Sequence, residues 1–382
     1  MDDHYPIYLD YNATTPIDPR VVEAMRPCWE TAFGNPSSSH AYGRQAKALL
    51  EEARRHLAAL VNARSDEIVF TSGGTESNNM ALCGVARAVM SRGRHIVTSR
   101  IEHPAVVEPC LALMEEGFDV TFVGVDHYGM VDSDEMIAAF RPDTILVSLM
   151  HSNNEVGTLQ PVKRIAQAAR DRGILVHTDA AQSVGKVPVD VNDLGVDLLT
   201  VAGHKLYAPK GVGALYVRRG TPMQKILYGA GQERGLRPGT ENVLEIVGLG
   251  MAAAVALEEL PKERIRMRAL RDRLQERLAA AFPEARVNGH PEHRLPNTLS
   301  ISFPGTTADA LLSAMPEVAA SAGAACHSDQ VRVSHVLEAM GVPMEAAKGT
   351  VRLSVGRFTR DEDIDEAAAA VERAVKKVME HP

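Results

Sequence analysis

The sequence is poor in aromatic residues. Phe, Trp and Tyr make up 4% of its 382 positions, and Trp29 is the single tryptophan. A base-stacking platform for nucleic acid is therefore not expected. Positive charge is not in excess either: 41 Lys and Arg face 49 Asp and Glu, a formal net charge of −8. That argues against direct nucleic-acid binding through a general basic surface. No apolar run is long enough to cross a membrane. The opening residues MDDHYP lack the basic and apolar regions of a signal peptide. The expectation is a cytoplasmic protein with no membrane contact. Cysteine is scarce, and Cys28, Cys83, Cys110 and Cys326 form no CxxC pair. Neither a metal site nor a disulfide framework is expected, and a reducing compartment would keep the thiols free.

What is present points to a sizeable core. Hydrophobic residues make up 45% of the chain, and its length suggests two domains. From about 66 to 220, short apolar runs alternate with helical stretches. Strands are expected at 68–70, 95–98, 120–123, 144–149, 174–176, 197–202 and 213–217. Near-continuous apolar strands separated by helices imply an α/β fold with a mostly parallel sheet covered on both faces. Ligands of such sheets sit beyond the carboxyl ends of the strands. A helix is expected from about Glu241 to Leu260, interrupted by Pro261, with another from Glu263 to Phe282. The domain change is placed near 258–262, giving a large domain over 15–258 and a small α+β domain over 1–14 and 259–382. A final helix follows, with Thr359 to Glu362 reading as a capping box.

Several stretches carry chemistry. Asp179 ends one expected strand and Lys205 follows the next. A lysine can condense with the aldehyde of pyridoxal 5'-phosphate (PLP), while a carboxylate keeps the pyridine nitrogen protonated. A capping aspartate and a surface lysine would look the same in isolation. Gly73-Gly74-Thr75 joins a strand to a helix, where backbone N–H groups suit an anion; it has no Walker or Rossmann spacing. His103 could stack on a planar cofactor and move protons, or cap a helix. Asn154 sits in a polar turn and could hold a carboxylate. The Gly-rich stretch 229–240 offers Arg234, Arg237 and Thr240 to an anion, or is a surface loop. Cys326 lies among small residues, where a thiolate could act as nucleophile with help from His327. The other cysteines read as small buried hydrophobes. Arg352, on an apolar strand, needs either a substrate carboxylate or a structural ion pair.

Together these stretches resemble a known family. YLDYNATTP at 8–16, GNPSS at 34–38, FTSGGTESNN at 70–79, EHPAV at 102–106, NNEVGTLQP at 153–161 and HTDAAQSVGK at 177–186 are in its order, as are GHKLYAPKG at 203–211, GLRPGTENV at 235–243 and SHVLEAMG at 334–341. The chain resembles the class-V aminotransferase-like PLP enzymes of fold type I, and within them the NifS/IscS-type cysteine desulfurases. The resemblance implies a seven-stranded, mostly parallel sheet in the large domain. It implies a cofactor-linked Lys205, with Asp179 at the pyridinium, His103 on the ring and Gln182 at the phenolic oxygen. It also implies a phosphate cradle from Gly74, Thr75 and His204, with Thr240 reaching in from a second subunit of a homodimer. Asn12, Asn154 and Arg352 would hold the carboxylate of L-cysteine. Cys326 would take the sulfur as a persulfide, release alanine and pass the sulfur to an acceptor such as an iron–sulfur scaffold or a thiolation protein. There are departures. Many relatives have serine where this chain has Ala202, and proline where it has Val333. The loop SAGAACHSD is more like that of selenocysteine lyases, which makes L-selenocysteine an alternative substrate. An inactive sulfur carrier is the alternative of another class.

Overall fold

The computed structural model describes residues 5–322, 326–327, 330–331 and 333–380, without the side chains of 326, 327, 330 and 331. Seven strands form the central sheet: β1 Ile68–Thr71, β2 His95–Ser99, β3 Asp119–Val123, β4 Thr144–Ser148, β5 Leu175–Asp179, β6 Leu198–Ala202 and β7 Gly213–Val217. Their spatial order is β1-β7-β6-β5-β4-β2-β3. β7 pairs antiparallel with both β1 and β6, while β2 through β6 pair in parallel. Only β7 is reversed, so the carboxyl ends of the other six share one edge. Every residue of β1, β2, β4, β6 and β7 is buried, as expected for strands covered on both faces. One face packs on a core including Phe70, Val97, Val147 and Leu199. The other packs on Val69, Ile96, Leu146 and Leu198.

Two early helices were not expected from the apolar pattern. Pro19–Glu30 starts at Asp18, whose side chain caps Arg20 N, and Ala41–Leu60 follows. Both lean on the long helix through Val21, Met25, Leu50 and Ala53. The helix after β1 is also less regular than expected. It runs Gly74–Asn79, passes through a π segment at Met80–Gly84 and resumes at Val85–Ala88.

The break expected at Pro261 does not occur. One helix spans Val243–Ala281 with Pro261 inside it. A helical proline frees the carbonyl four residues back, here that of Leu257. Leu257 is 48% exposed, and on a solvent-facing side water can satisfy that oxygen. Packing keeps both halves helical. Ile246, Leu249, Ala252, Ala253 and Ala256 belong to the large core, and Met267, Leu270, Leu274 and Leu278 to a second one.

That second core lies against a four-stranded antiparallel sheet of β8 Arg286–Asn288, β9 Thr298–Ser302, β10 Ser321–Ala322 and β11 Thr350–Ser354, in the order β10-β11-β9-β8. The last helix, Asp361–Glu380, buries Ile364, Ala368, Val371 and Val375, spaced three or four residues apart on one face. Its expected capping box does not form. Thr359 Oγ1 instead accepts from Gly356 N at 2.9 Å, and the Asp363 carboxylate accepts from Arg360 N at 2.8 Å. The start has moved one residue on, because the Thr359 hydroxyl is used by the preceding turn. Among the described residues, no helix is long and apolar enough to cross a membrane.

Candidate active site

The shared edge collects the chemistry. Gly74 and Thr75 follow β1, His103 follows β2, Met150 to Asn154 follow β4, Asp179 closes β5 and Lys205 follows β6. A cavity of about 410 Å³ opens among them, and Asn12, Gln182, Ala202, His204 and Arg352 also line it. The N-terminal stretch of the chain and β11 of the second sheet therefore complete a site begun by the central sheet.

Each charged group in it is held. Asp179 Oδ2 accepts from Asn78 Nδ2 at 2.7 Å, and Oδ1 from Ala181 N at 2.9 Å. Lys205 Nζ donates to the carbonyls of Asn12 and Ala13. Burial pushes Lys205 down to about 8, helped by Arg352 and opposed by Asp10 and Asp179. That raises the share of neutral, nucleophilic amine near pH 7. His103 caps the helix Pro104–Glu115, its Nδ1 accepting from Ala105 N at 3.1 Å. Desolvation lowers its pKa; Asp179 opposes this, and Lys205 and His335 reinforce it. Its Nδ1 therefore carries no proton in this geometry, which leaves Nε2 as the position that can exchange one with the cavity. His204, beside Thr14 Oγ1 at 3.2 Å, is lowered to about 4 by burial and by Lys205, Lys210 and Lys186.

The turn after β1 suits an anion. Gly73 precedes the helix with φ 153°, which favours glycine. A Cβ on Gly74 would meet Ala202 Cβ at 3.3 Å. Small residues thus leave room at the backbone N–H groups of the turn. Ala202 lines this space with no hydroxyl to offer.

At the other end, Arg352 has a resident partner. Its Nη2 donates to Asp10 Oδ1 at 2.8 Å and Ser321 Oγ at 3.0 Å, and its Nη1 to Asn154 O at 3.0 Å. The structural ion pair is therefore present, while Nε is buried without a partner. Asn12, 1% exposed, donates through Nδ2 to Asn154 O and Thr298 Oγ1.

Other expected residues lie elsewhere. Arg237 is paired with Glu76 at 3.0 Å, and Arg234 donates to Ile68 O; neither lines the cavity. Thr240 is exposed on its own chain and does not line the cavity. The stretch around it is anchored: Glu233 takes Arg54 at 2.7 Å and Phe70 N at 2.9 Å. Cys326 and His327 pair through their backbones with Gln330 and Val331, but their side chains lie outside the described residues. Cys28, Cys83 and Cys110 are buried free thiols. Among the described residues no cluster could hold a metal ion.

Three buried polar groups in or near the site were not singled out from the sequence. Asn78 holds Asp179. Lys186, 3% exposed, donates from Nζ to Gln182 Oε1 at 2.7 Å and lies 3.4 Å from Asn12 Oδ1. Burial, then Lys205 and Arg352, depress Lys186 well below an ordinary lysine. Glu102, wholly buried, is raised to about 8 by desolvation, against hydrogen bonds from Ser99 and Met150 N. Only the four-residue spacing of Gln182 and Lys186 could have been noticed in the sequence.

The aminotransferase class-V family model matches residues 7–367. A cysteine desulfurase IscS from Dictyoglomus turgidum is 46% identical over 374 residues, covering 97% of this chain and 95% of that protein. A human cysteine desulfurase is 43% identical, covering 98% of this chain and 83% of that one. Among solved structures, a NifS-like protein superposes with a TM-score of 0.92 at 38% identity, over 97% of this chain and all (100%) of that one. SspA in complex with cysteine gives 0.81 at 36% identity, over 92% and 99%.

Proposed function

The chain belongs to the aminotransferase class-V family, and from that premise we propose how its residues share the work of a PLP-dependent cysteine desulfurase. The activity itself follows from relatives of that name matching nearly end to end. The observation that carries the assignment of roles is the meeting of Lys205, Asp179 and His103 at one sheet edge, opposite Asn12 and Arg352.

The donor set fits PLP: an amine with lowered pKa, an anchored carboxylate, and an N–H-rich turn kept clear by small residues. When bound, PLP supplies an electron sink for the substrate α-carbon. Lys205 would hold the aldehyde carbon through its Nζ. Asp179, fixed by Asn78 and Ala181 N, would keep the pyridine nitrogen protonated. His103 would pack on the ring. Gln182 would face the phenolic oxygen, and Gly74, Thr75 and His204 the phosphate. Arg352 and Asn154 would hold the substrate carboxylate, with Asn12 bracing Asn154.

The Cys326 thiolate would attack the γ-sulfur of L-cysteine. The new S–S bond forms as the Cβ–Sγ bond breaks, and the carbon fragment keeps the electron pair. Protonated, it leaves as alanine, so persulfide formation needs no outside oxidant. The sulfur then passes to an acceptor such as an iron–sulfur scaffold. The exposure of Thr240 supports a homodimer in which each copy lends this residue to the other's cradle. The proposed division remains a large domain over 15–258 and a small one over 1–14 and 259–382, its junction lying within the long helix.

The test supplies PLP-loaded protein with L-cysteine and, in parallel, L-selenocysteine, measuring alanine and mapping the mass of the Cys326 peptide. The expected outcome is alanine from L-cysteine with one added sulfur on that peptide. A clear preference for L-selenocysteine, with no sulfur on Cys326, would overturn the assignment.

A further inference from the structure

A cavity of about 200 Å³ shares no lining residue with the candidate active site. Arg264, Arg268 and Arg271 enter it from the long helix, and Arg294 from the segment that leads into β9. Positions 264, 268 and 271 recur every three or four residues and so share one helix face.

Negative charge there does not match them. Asp272 serves two of the arginines, Arg271 at 2.6 Å and Arg268 at 3.5 Å. Among the described residues, Arg264 and Arg294 have no ion pair. Glu292, exposed at the mouth, pairs with none of the four. Arg294 is the sharpest case. It is 8% exposed, and its Nη2 donates only to the neutral Gln275 Oε1 and Thr298 O, at 3.0 and 3.1 Å. Its Nε is buried without an acceptor. A buried guanidinium with neutral partners retains a large desolvation cost that a counter-anion would offset. Burial, then Arg271, lowers Arg294 to about 9, in keeping with that missing anion.

We propose that this cavity binds a small tetrahedral oxyanion of the phosphate class, with Arg271 and Arg294 beneath it and Arg264 and Arg268 at the mouth. Guanidinium forks match tetrahedral oxyanions through paired hydrogen bonds. The walls come from both sides of the junction. Val187 belongs to the large core, while Arg294 hydrogen-bonds the carbonyl at the start of β9. A bound ion would thus tie the long helix to the entry of the second sheet, and binding would stabilise the native state by mass action.

The experiment titrates PLP-loaded protein, its cofactor cradle filled, with inorganic phosphate against chloride at matched ionic strength. Calorimetry and melting temperature are read, with acetate as a carboxylate control. The expected result is one saturable phosphate site per chain and a melting temperature that rises with phosphate. Arg264→Ala with Arg268→Ala, both on an exposed helix face, should weaken binding about tenfold or more and leave desulfurase activity unchanged. Arg294→Met should abolish the phosphate dependence without lowering the melting temperature in chloride. Uptake no stronger than acetate's, or saturable uptake unaltered in the double variant, would overturn the proposal. The double variant decides even if Arg294→Met does not fold.

Discussion

Lys186 holds the carbonyl oxygen of the Gln182 amide and so turns the amide nitrogen the other way, onto Asn12 O at 2.9 Å. The orientation of Gln182 is therefore set by a second buried amine. Lys186→Met would leave Gln182 Oε1 unpaired, at about 1–3 kcal/mol. The expected outcome is PLP affinity weakened by roughly tenfold, read by titrating the cofactor's absorbance, with circular dichroism unchanged. Unaltered affinity would remove Lys186 from the site. Glu102 makes a pH prediction. Its carboxyl is raised from 4.5 to about 8 by burial, so between those values the folded state holds a proton that the unfolded state has lost. Its contribution to stability is complete below about pH 4.5 and falls as pH rises towards 8. Glu102→Gln, neutral throughout, should flatten the fall in denaturation midpoint over that window. An unchanged slope would mean that Glu102 is ionised when folded. Neither residue was legible in the sequence. Lys186 looks like a polar residue of a turn after Gly185, and Glu102 like one more helix-flanking acid. Their burial depends on which strands become neighbours.

Among the elements, the strands were the most legible. A strand buried on both faces must be apolar almost throughout, and Thr144–Ser148 and Leu198–Ala202 show that directly. The reversal of β7 was not legible, because an apolar run carries no direction. Helix interruptions were misjudged where tertiary packing overrode local preference. Pro261 continues a helix whose two halves are each buried in a core. Conversely, the helix after β1 deviates through a π segment in a stretch with no proline. The end of β6 offers a test at this scale. Ala202 faces the turn at Gly74 and lines the cavity. Ala202→Ser would place a hydroxyl beside the expected phosphate position. A hydrogen bond to a charged group contributes about 1.5–3 kcal/mol, so PLP should dissociate roughly tenfold or more slowly, as followed by transfer to an apo acceptor. An unchanged release rate would mean that the phosphate does not lie against this strand end.

At the scale of the whole molecule, the cavity is finished by parts distant in sequence. Asn12 binds Thr298 and Asn154, and Arg352 binds Asp10 and Asn154. The central sheet, the N-terminal segment and the second sheet therefore close one site together, and cofactor and substrate contacts are expected to fail together if their junction loosens. The central claim is that Lys205 captures the cofactor aldehyde in this cavity. Its most direct test is borohydride reduction of the PLP-loaded protein followed by peptide mass mapping, with Lys205→Ala alongside. The account predicts a pyridoxyl mass on the Lys205 peptide of the wild-type chain and none in the variant. A label on Lys186 or another lysine, or no label at all in wild-type protein supplied with PLP, would contradict it.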